Sequence, residues 1–392
     1  MNQKRSKLQS LGLVLVFFAA TGIVVSGIFL WQSKEAEVAQ SKTPLVSINS
    51  LKPESEKTLA PGIPTDKVPE YHVTDFNYLA SNGNKKDWNM IAKQANLYSG
   101  EKLIHSRIIE AQLFDSEGQV THVTGSEAKF FINQRDLEVY GNVVTQFPDG
   151  FTTHSEYLRY LPGQSRVEIP VKYRVDGHTT PSTQKKASQP PGEANQDITF
   201  HSQGMVTNLS DLTVRLHSDV HFEMKRQQKS EKNKAETTKI ESDQCLIDRK
   251  IKKADFTMAP STPLKKRFVR VRQPDLFARG RRGTLLYGDF SSLLNYMTLD
   301  EDVLVKELNP DAQYGQDKDT SAIVEPTKQP TIRYSTCEKA TFDTKNDLIT
   351  LLTLPQVYQD ADTVTGDVIV IHRDTELVEV KQGNAFNSGL GN

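Results

Sequence analysis

Leu137-Glu138-Val139-Tyr140-Gly141-Asn142-Val143 is the stretch from which the fold can be read. Apolar side chains stand at Leu137, Val139 and Val143, and a small, polar pair, Gly141-Asn142, interrupts them. In a β-strand alternate residues share a face. The leucine and both valines therefore point inward together, while the pair between them permits a bend. The pattern returns at Val214-x-Leu216-x-Ser218-Asp219-Val220 and at Met297-x-Leu299-x-Glu301-Asp302-Val303. A weaker copy is Leu351-x-Thr353-x-Pro355-Gln356-Val357. Insertions separate the copies. Repeats of this kind need stacked neighbours to bury a continuous core.

Around these copies the texture is β. From Tyr71 onward the chain consists of short alternating runs rich in Val, Ile, Thr, Tyr and Phe, broken by Gly, Asp and Asn. That periodicity predicts strands, among them Asp87–Tyr98, Lys129–Ile132, Leu137–Phe147, Val364–His372 and Leu377–Val380. No long amphipathic helix follows residue 35. Gly177–Gln196 is polar and carries Pro181, Pro190 and Pro191, which marks it as a domain boundary. Arg226–Lys239 and Asn309–Pro330 read as solvated insertions. The Gly- and Asn-rich tail 383–392 is expected to be disordered.

The chain has 392 residues, with 48 Lys+Arg against 49 Asp+Glu and a net charge of −1. That balance excludes a whole-chain polyanion binder; any basic site is local. The 2 cysteines exclude a disulfide scaffold and a cysteine-ligated zinc ribbon. Cys245 and Cys337 either form one disulfide outside the cytoplasm or stand as two buried thiols. The run Leu11–Trp31 carries no charge and is long enough for the ~30 Å core of a bilayer. It exceeds a signal-peptide core and ends in Phe29-Leu30-Trp31, not in a small-residue cleavage site. Lys4, Arg5 and Lys7 precede it, so the positive-inside rule places the N-terminus in the cytoplasm and the bulk of the chain outside. The expected organisation is a cytoplasmic tail (1–10), a transmembrane anchor (11–31), a Ser/Lys/Glu/Pro-rich linker (32–70), a β module (71–176), a linker (177–196), a second β module (197–382) and a tail (383–392).

Several motifs follow the anchor in a specific order: Trp88-Asn89-Met90-Ile91-Ala92-x-x-Ala95-x-x-Tyr98, Phe114-Asp115-x-x-Gly118, Thr124-Gly125, Leu137-x-Val139-x-Gly141-Asn142-Val143, Asp149-Gly150 and Leu158-x-Tyr160. In this order, residues 70–176 resemble LptC of the LptC/LptA family, the OstA-like periplasmic proteins of lipopolysaccharide export. Near the other end, Ala340-Thr341-Phe342-Asp343, Pro355-x-Val357-Tyr358-Gln359, Asp362-x-Val364-x-Gly366-Asp367-x-Ile369 and Leu377-x-Glu379-Val380 resemble the LptA, or OstA, repeat. Residues 197–310 match it only loosely. The chain is about twice as long as a usual LptC, which suggests an LptC-like and an LptA-like module in series. The resemblance implies a mainly β fold of two open β-jelly-roll modules behind a single transmembrane helix, each with an apolar trough. It implies no catalytic residues and no cofactor. The implied location is the inner membrane, single-pass, with the bulk in the periplasm. The implied partners are lipopolysaccharide, the subunits of an inner-membrane ABC exporter, and another periplasmic jelly-roll protein docked at a sheet edge.

Exposing one lipid A acyl chain to water costs on the order of 10 kcal/mol, at about 0.8 kcal/mol per CH₂, so transfer needs a covered apolar route. The candidate lining residues are Leu137, Val139, Val143, Val214, Leu216, Val220, Val364, Val368 and Val370. Alternation puts Val364, Gly366, Val368 and Val370 on one wholly apolar face. That face is either a trough wall or an ordinary sandwich core. Lys265, Lys266, Arg267, Arg270 and Arg272, with Arg279, Arg281 and Arg282 close behind, form a basic cluster. It suits phosphate, which lipid A bears, and equally a solvated hairpin whose edge is protected by charge. The histidines are scattered along the chain with no close ligand grouping, so no metal is expected. No G-x-S-x-G, P-loop or G-x-G-x-x-G is present. Two function classes remain. One is a lipid-conducting bridge fed by an exporter; the other is an anchored scaffold that organises the envelope through sheet edges and binds no lipid.

Overall fold

A computed structural model describes residues 60–64, 67–83, 85–179, 196–226, 236–287, 294–308, 331–343, 346–359, 362–375 and 377–387. The anchor, the first linker up to residue 59, most of the second linker and the whole Asn309–Pro330 insertion lie outside them. Among the described residues no helix is long and apolar enough to cross a membrane. The chain is mainly β, as expected. Its strands are β1 Tyr71–Asn82, β2 Lys85–Tyr98, β3 Leu103–Phe114, β4 Val120–Phe131, β5 Leu137–Gln146, β6 Phe151–Leu161, β7 Arg166–Thr179, β8 Gln196–Asn208 and β9 Thr213–Arg226. Then come β10 Glu236–Ser242, β11 Gln244–Asp248, β12 Lys253–Thr257, β13 Val269–Gln273, β14 Leu276–Gly280, β15 Arg282–Tyr287, β16 Leu294–Leu308 and β17 Thr331–Asp343. The last are β18 Leu348–Leu352, β19 Gln356–Gln359, β20 Asp362–Thr365, β21 Val368–His372, β22 Val378–Lys381 and β23 Asn384–Asn387. The helical elements described are two short 3-10 turns, Pro162–Gln164 and Leu264–Lys266.

Each of β1 to β9 pairs antiparallel with the next. A fold line crosses them all. Pairing skips at Asp75 and Lys93, at Ile108, at Gly125 and Ser126, at Gly141-Asn142 and at Asp219. Left-handed backbone marks it at Asp75 (φ 51), Ile108 (φ 54), Gly141 (φ 73), Asn142 (φ 47), Gly204 (φ 79) and Asp219 (φ 52). The polar pair of the repeat is thus the bend: one extra residue on β5 forms a bulge, which kinks a strand without ending it. Beyond β9 the line cuts alternate strands in two. β9 pairs with β11 before the bend and with β10 after it. β16 does the same with β15 and β14, bending at Glu301 (φ 65) and Asp302 (φ 52). β17 pairs with β18 and β19, followed by β21–β22 and β20–β23. The line divides the sheet into half A, with the Leu137–Tyr140 end of β5, and half B, with its Val143–Gln146 end.

The halves face each other. Trp88 is opposite Leu113, and Phe130 opposite Ile104. A straight β3 would hold those positions roughly 30 Å apart, at ~3.3 Å per residue. Yet the Trp88 and Phe130 rings meet edge to face with centroids 4.9 Å apart. Phe222 of half B likewise meets Phe256 of half A at 5.7 Å. Near the fold line Gly125 leaves room for a neighbouring side chain: a Cβ there would lie 2.4 Å from Val139 Cγ1.

Four expectations are corrected. The boundary at Gly177–Gln196 does not interrupt the sheet: β7 pairs with β8 from Arg166↔Asn208 to His178↔Thr199, and one hydrophobic core runs from Ala80 to Ile371. The fourth repeat bends at Thr353 (φ 61) and Leu354 (φ 56), two residues early, because the proline ring of Pro355 fixes φ near −65°. The tail begins with a strand, since β23 pairs with β20. The first linker is strapped down at its end. Ala60 packs on Tyr140 and Tyr157 with Ile63 beside it, Ala60 N–H donates to Glu127 Oε2 (3.1 Å), and Lys129 Nζ donates to Pro61 O (2.9 Å). Ile63→Asp is expected to free this strap while the sheet melts within about 1 kcal/mol of wild type. Hydrogen exchange at residues 60–63 would rise at least ten-fold; unchanged protection would show the strap is not held by these contacts.

Candidate functional site: the interior of the folded sheet and its clasped mouth

The space between the halves is apolar along its length. Leu137, Val139, Val214 and Leu216 are 0% exposed, and Val143 and Val220 are 1% exposed, all in one core. Met297, Leu299, Val303, Leu351 and Val357 continue it. Val364 packs against the core half-buried. Val368 and Val370 do not: they lie half-buried on the opposite face, while Ile369 and Ile371 point into the core. The inward assignment of those two valines is therefore reversed. The corner at Gly366-Asp367, between β20 and β21, adds a residue and resets the alternation.

Opposite the fold line, the strand-connecting turns form two lips. Three arginines on lip A reach lip B. Arg135 Nη1 donates to Ser81 O (3.3 Å). Arg249 Nη1 pairs with Asp149 Oδ2 (2.7 Å), its guanidinium 5.0 Å from the Phe147 ring. Arg373 Nη2 pairs with Asp275 Oδ2 (2.6 Å) and Nη1 donates to Gln273 Oε1 (3.3 Å). At the β1–β5 end of the sheet the Trp88–Phe130–Tyr78 aromatic cluster closes the mouth as well. The Trp88 Nε1 donor is buried without a hydrogen-bond partner, an arrangement that costs about 1–3 kcal/mol.

The basic cluster is largely tied up. Arg267 donates to Pro260 O and Thr262 O, and Arg281 to Leu264 O (2.6 Å), Arg267 O (3.1 Å) and Asp302 (2.8 Å). Arg279 and Arg281 lie over the Phe268 ring at 4.5 and 4.0 Å. Arg282 pairs with Glu301, and Arg270 stands 3.9 Å from Glu241. Arg272 is on the outer face of β13. Lys265 and Lys266 project into solvent from the short 3-10 turn. The structure thus gathers most of these arginines into a cross-link around the Glu301-Asp302 bend.

Cys245 and Cys337 are buried free thiols. Burial pushes Cys245 far up and Cys337 up to about 11, so both stay protonated and unreactive. Burial also raises the Tyr140, Tyr157 and Tyr160 phenols far above 10.0, with the Glu138 carboxylate adding to the first two. A raised acid binds more protons folded than unfolded, so its stabilisation is full below the unfolded pKa and is lost as pH climbs above it. Burial lowers His122, His178, His201 and His217 below 6.5. Their contribution is present above that value and is lost as pH falls through the lowered one. Melting temperature is therefore expected to plateau between about pH 7 and 10 and to fall on both sides. A melt unchanged from pH 9 to pH 11 would contradict the tyrosine assignments.

The alternation rule located the core repeats. It missed the arginine clasps, since nothing local to Arg135, Arg249 or Arg373 marks them, and it missed the gathering of His154, His178, His201 and His221 on one outer face. Residues 19–185 match the model of a family described as lipopolysaccharide-assembly, LptC-related. No curated protein matches. Among solved structures the chain is similar to LptH of Pseudomonas aeruginosa, described as the LptA homologous periplasmic component of the conserved lipopolysaccharide transport device. Identity is 13%, over 37% of this chain and 82% of that one, with a TM-score of 0.27; a likeness at that score carries no argument. The match over residues 19–185 supports the resemblance read from the motifs there: that part of the chain is LptC-related.

Proposed function

We propose that this chain is an inner-membrane-anchored component of lipopolysaccharide export, which takes lipopolysaccharide from an ABC exporter and passes it toward the outer membrane through its folded, jelly-roll-like sheet. The observation that carries this reading is the single apolar interior that runs unbroken from Ala80 to Ile371 across both modules. Acyl chains would lie between the halves and the sugars would stay outside the lips. Because the interior side chains are closely packed, the lips must part to admit a chain, and the three arginine clasps and the Trp88 cluster are what parts. Charged clasps suit this role: the Asp149 and Asp275 partners are partly exposed, so opening rehydrates them at modest cost. Lys265 and Lys266, exposed on their 3-10 turn, would meet lipid phosphate. The β22–β23 edge would receive the next bridge protein by strand addition.

The test locks the mouth. In an Asp149→Cys/Arg249→Cys chain, a short bis-maleimide would bridge the lips, the native thiols being buried. Bridging is expected to stop lipopolysaccharide transfer at least ten-fold, whereas the unbridged double variant transfers. Normal transfer through a fully bridged chain would overturn passage between the lips.

A further inference from the structure

Across the outer face of half B runs a row of polar side chains that plays no part in the interior. His154 on β6 is opposite Asp176 on β7, and Asp176 is opposite His201 on β8. His201 is opposite His221 on β9, and His221 opposite Glu241 on β10. The His201 and His221 rings stack with centroids 4.3 Å apart and planes 18° apart. His154 and His178 stack beside them at 5.4 Å. An open cavity of about 550 Å³ borders the row. The two ring nitrogens of His221 contact Asp219 Oδ1 (3.0 Å) and Glu241 Oε1 (3.3 Å).

We propose that the His201–His221 pair binds one divalent transition-metal ion of the Cu²⁺, Ni²⁺ or Zn²⁺ class, with Asp219 or Glu241 as a third ligand. Imidazole nitrogens favour these ions. Adjacent strands are ~4.8 Å apart and metal–imidazole bonds run ~2.0–2.1 Å, so rings on directly opposite residues reach one ion from either side. Among the described residues no three His, Cys, Asp or Glu side chains already converge on one point. Binding therefore turns the stacked rings about χ2, a soft torsion in histidine, and one carboxylate leaves a His221 nitrogen to join the ion or hold the other ring in place. The surrounding cations are offset: Arg174 pairs with Asp176 (2.8 Å), Lys239 stands 3.8 Å from Glu223, and Arg270 stands 3.9 Å from Glu241.

The experiment uses the full chain, free of any affinity histidines and stripped with chelator. Copper is titrated in and followed by electron paramagnetic resonance, and nickel and zinc by calorimetry. One ion per chain is expected, with coupling to two nitrogens. His201→Ala and His221→Ala should each weaken binding at least ten-fold with the melt retained. His372→Ala, whose ring rests 3.1 Å from Glu379 on the other half-sheet, should change nothing. A readout free of substitutions is carbethoxylation of the wild-type chain, in which saturating Zn²⁺ must protect His201 and His221. The proposal is overturned by binding that survives both alanine variants, by equal weakening in His372→Ala, by absence of a near-stoichiometric ion, or by no protection of the two rings.

Discussion

Val139→Asp is expected to lose about 3–5 kcal/mol of stability, while Val368→Asp folds and melts close to wild type. Val139 is 0% exposed, against the fold line and beside Gly125. A carboxylate there has no partner, and leaving a buried charge uncompensated costs about 3–5 kcal/mol, a large part of a total stability of ~5–15 kcal/mol. Val368 is half-buried on the other face of its strand, where substitutions cost under about 1 kcal/mol. Simple alternation from Val364 treats the two valines alike; the corner at Gly366-Asp367 separates them. Denaturant melts of both variants decide it. Equal destabilisation would mean that β21 presents its other face to the core.

Trp88→Ala is the second large effect. The indole is fully buried against Phe130 and Tyr78, and removing so large a side chain from a core costs about 3–5 kcal/mol. The loss should be local as well as global. Amide exchange should rise in β1, β2 and the turn carrying Arg135 more than in β16 and β17, because the clasps at Arg249 and Arg373 remain. A uniform rise along the sheet would show that the mouth opens as one piece and not clasp by clasp.

These outcomes also mark how far the sequence could be read. Bends at Gly141-Asn142, Asp219 and Glu301-Asp302 were legible because small or polar residues that tolerate left-handed backbone interrupt an apolar alternation. The fourth bend was displaced by Pro355, whose effect is local yet opposite to that of the other pairs. The outward turn of Val368 was hidden because alternation carries no memory across a corner. The strand at Asn384–Asn387 was missed because glycine and asparagine around it argue for disorder, while pairing with β20 orders it. The strap at Ala60–Ile63 and the three arginine clasps depend on which turns the folded sheet brings together. Charge counting found the cluster from Lys265 to Arg282, but not that Phe268, Asp302 and backbone carbonyls already occupy its arginines.

The central claim is that lipopolysaccharide passes between the two half-sheets. Photoreactive residues at Leu97, Met258 and Val380, which border the interior half-buried, test it most directly, with Val370 on the outer face as the comparison. During ATP-driven export in membranes, the account predicts crosslinks to lipopolysaccharide at all three interior positions and none at Val370. Crosslinks confined to Val370, or none at any position in a folded chain during active export, would contradict it.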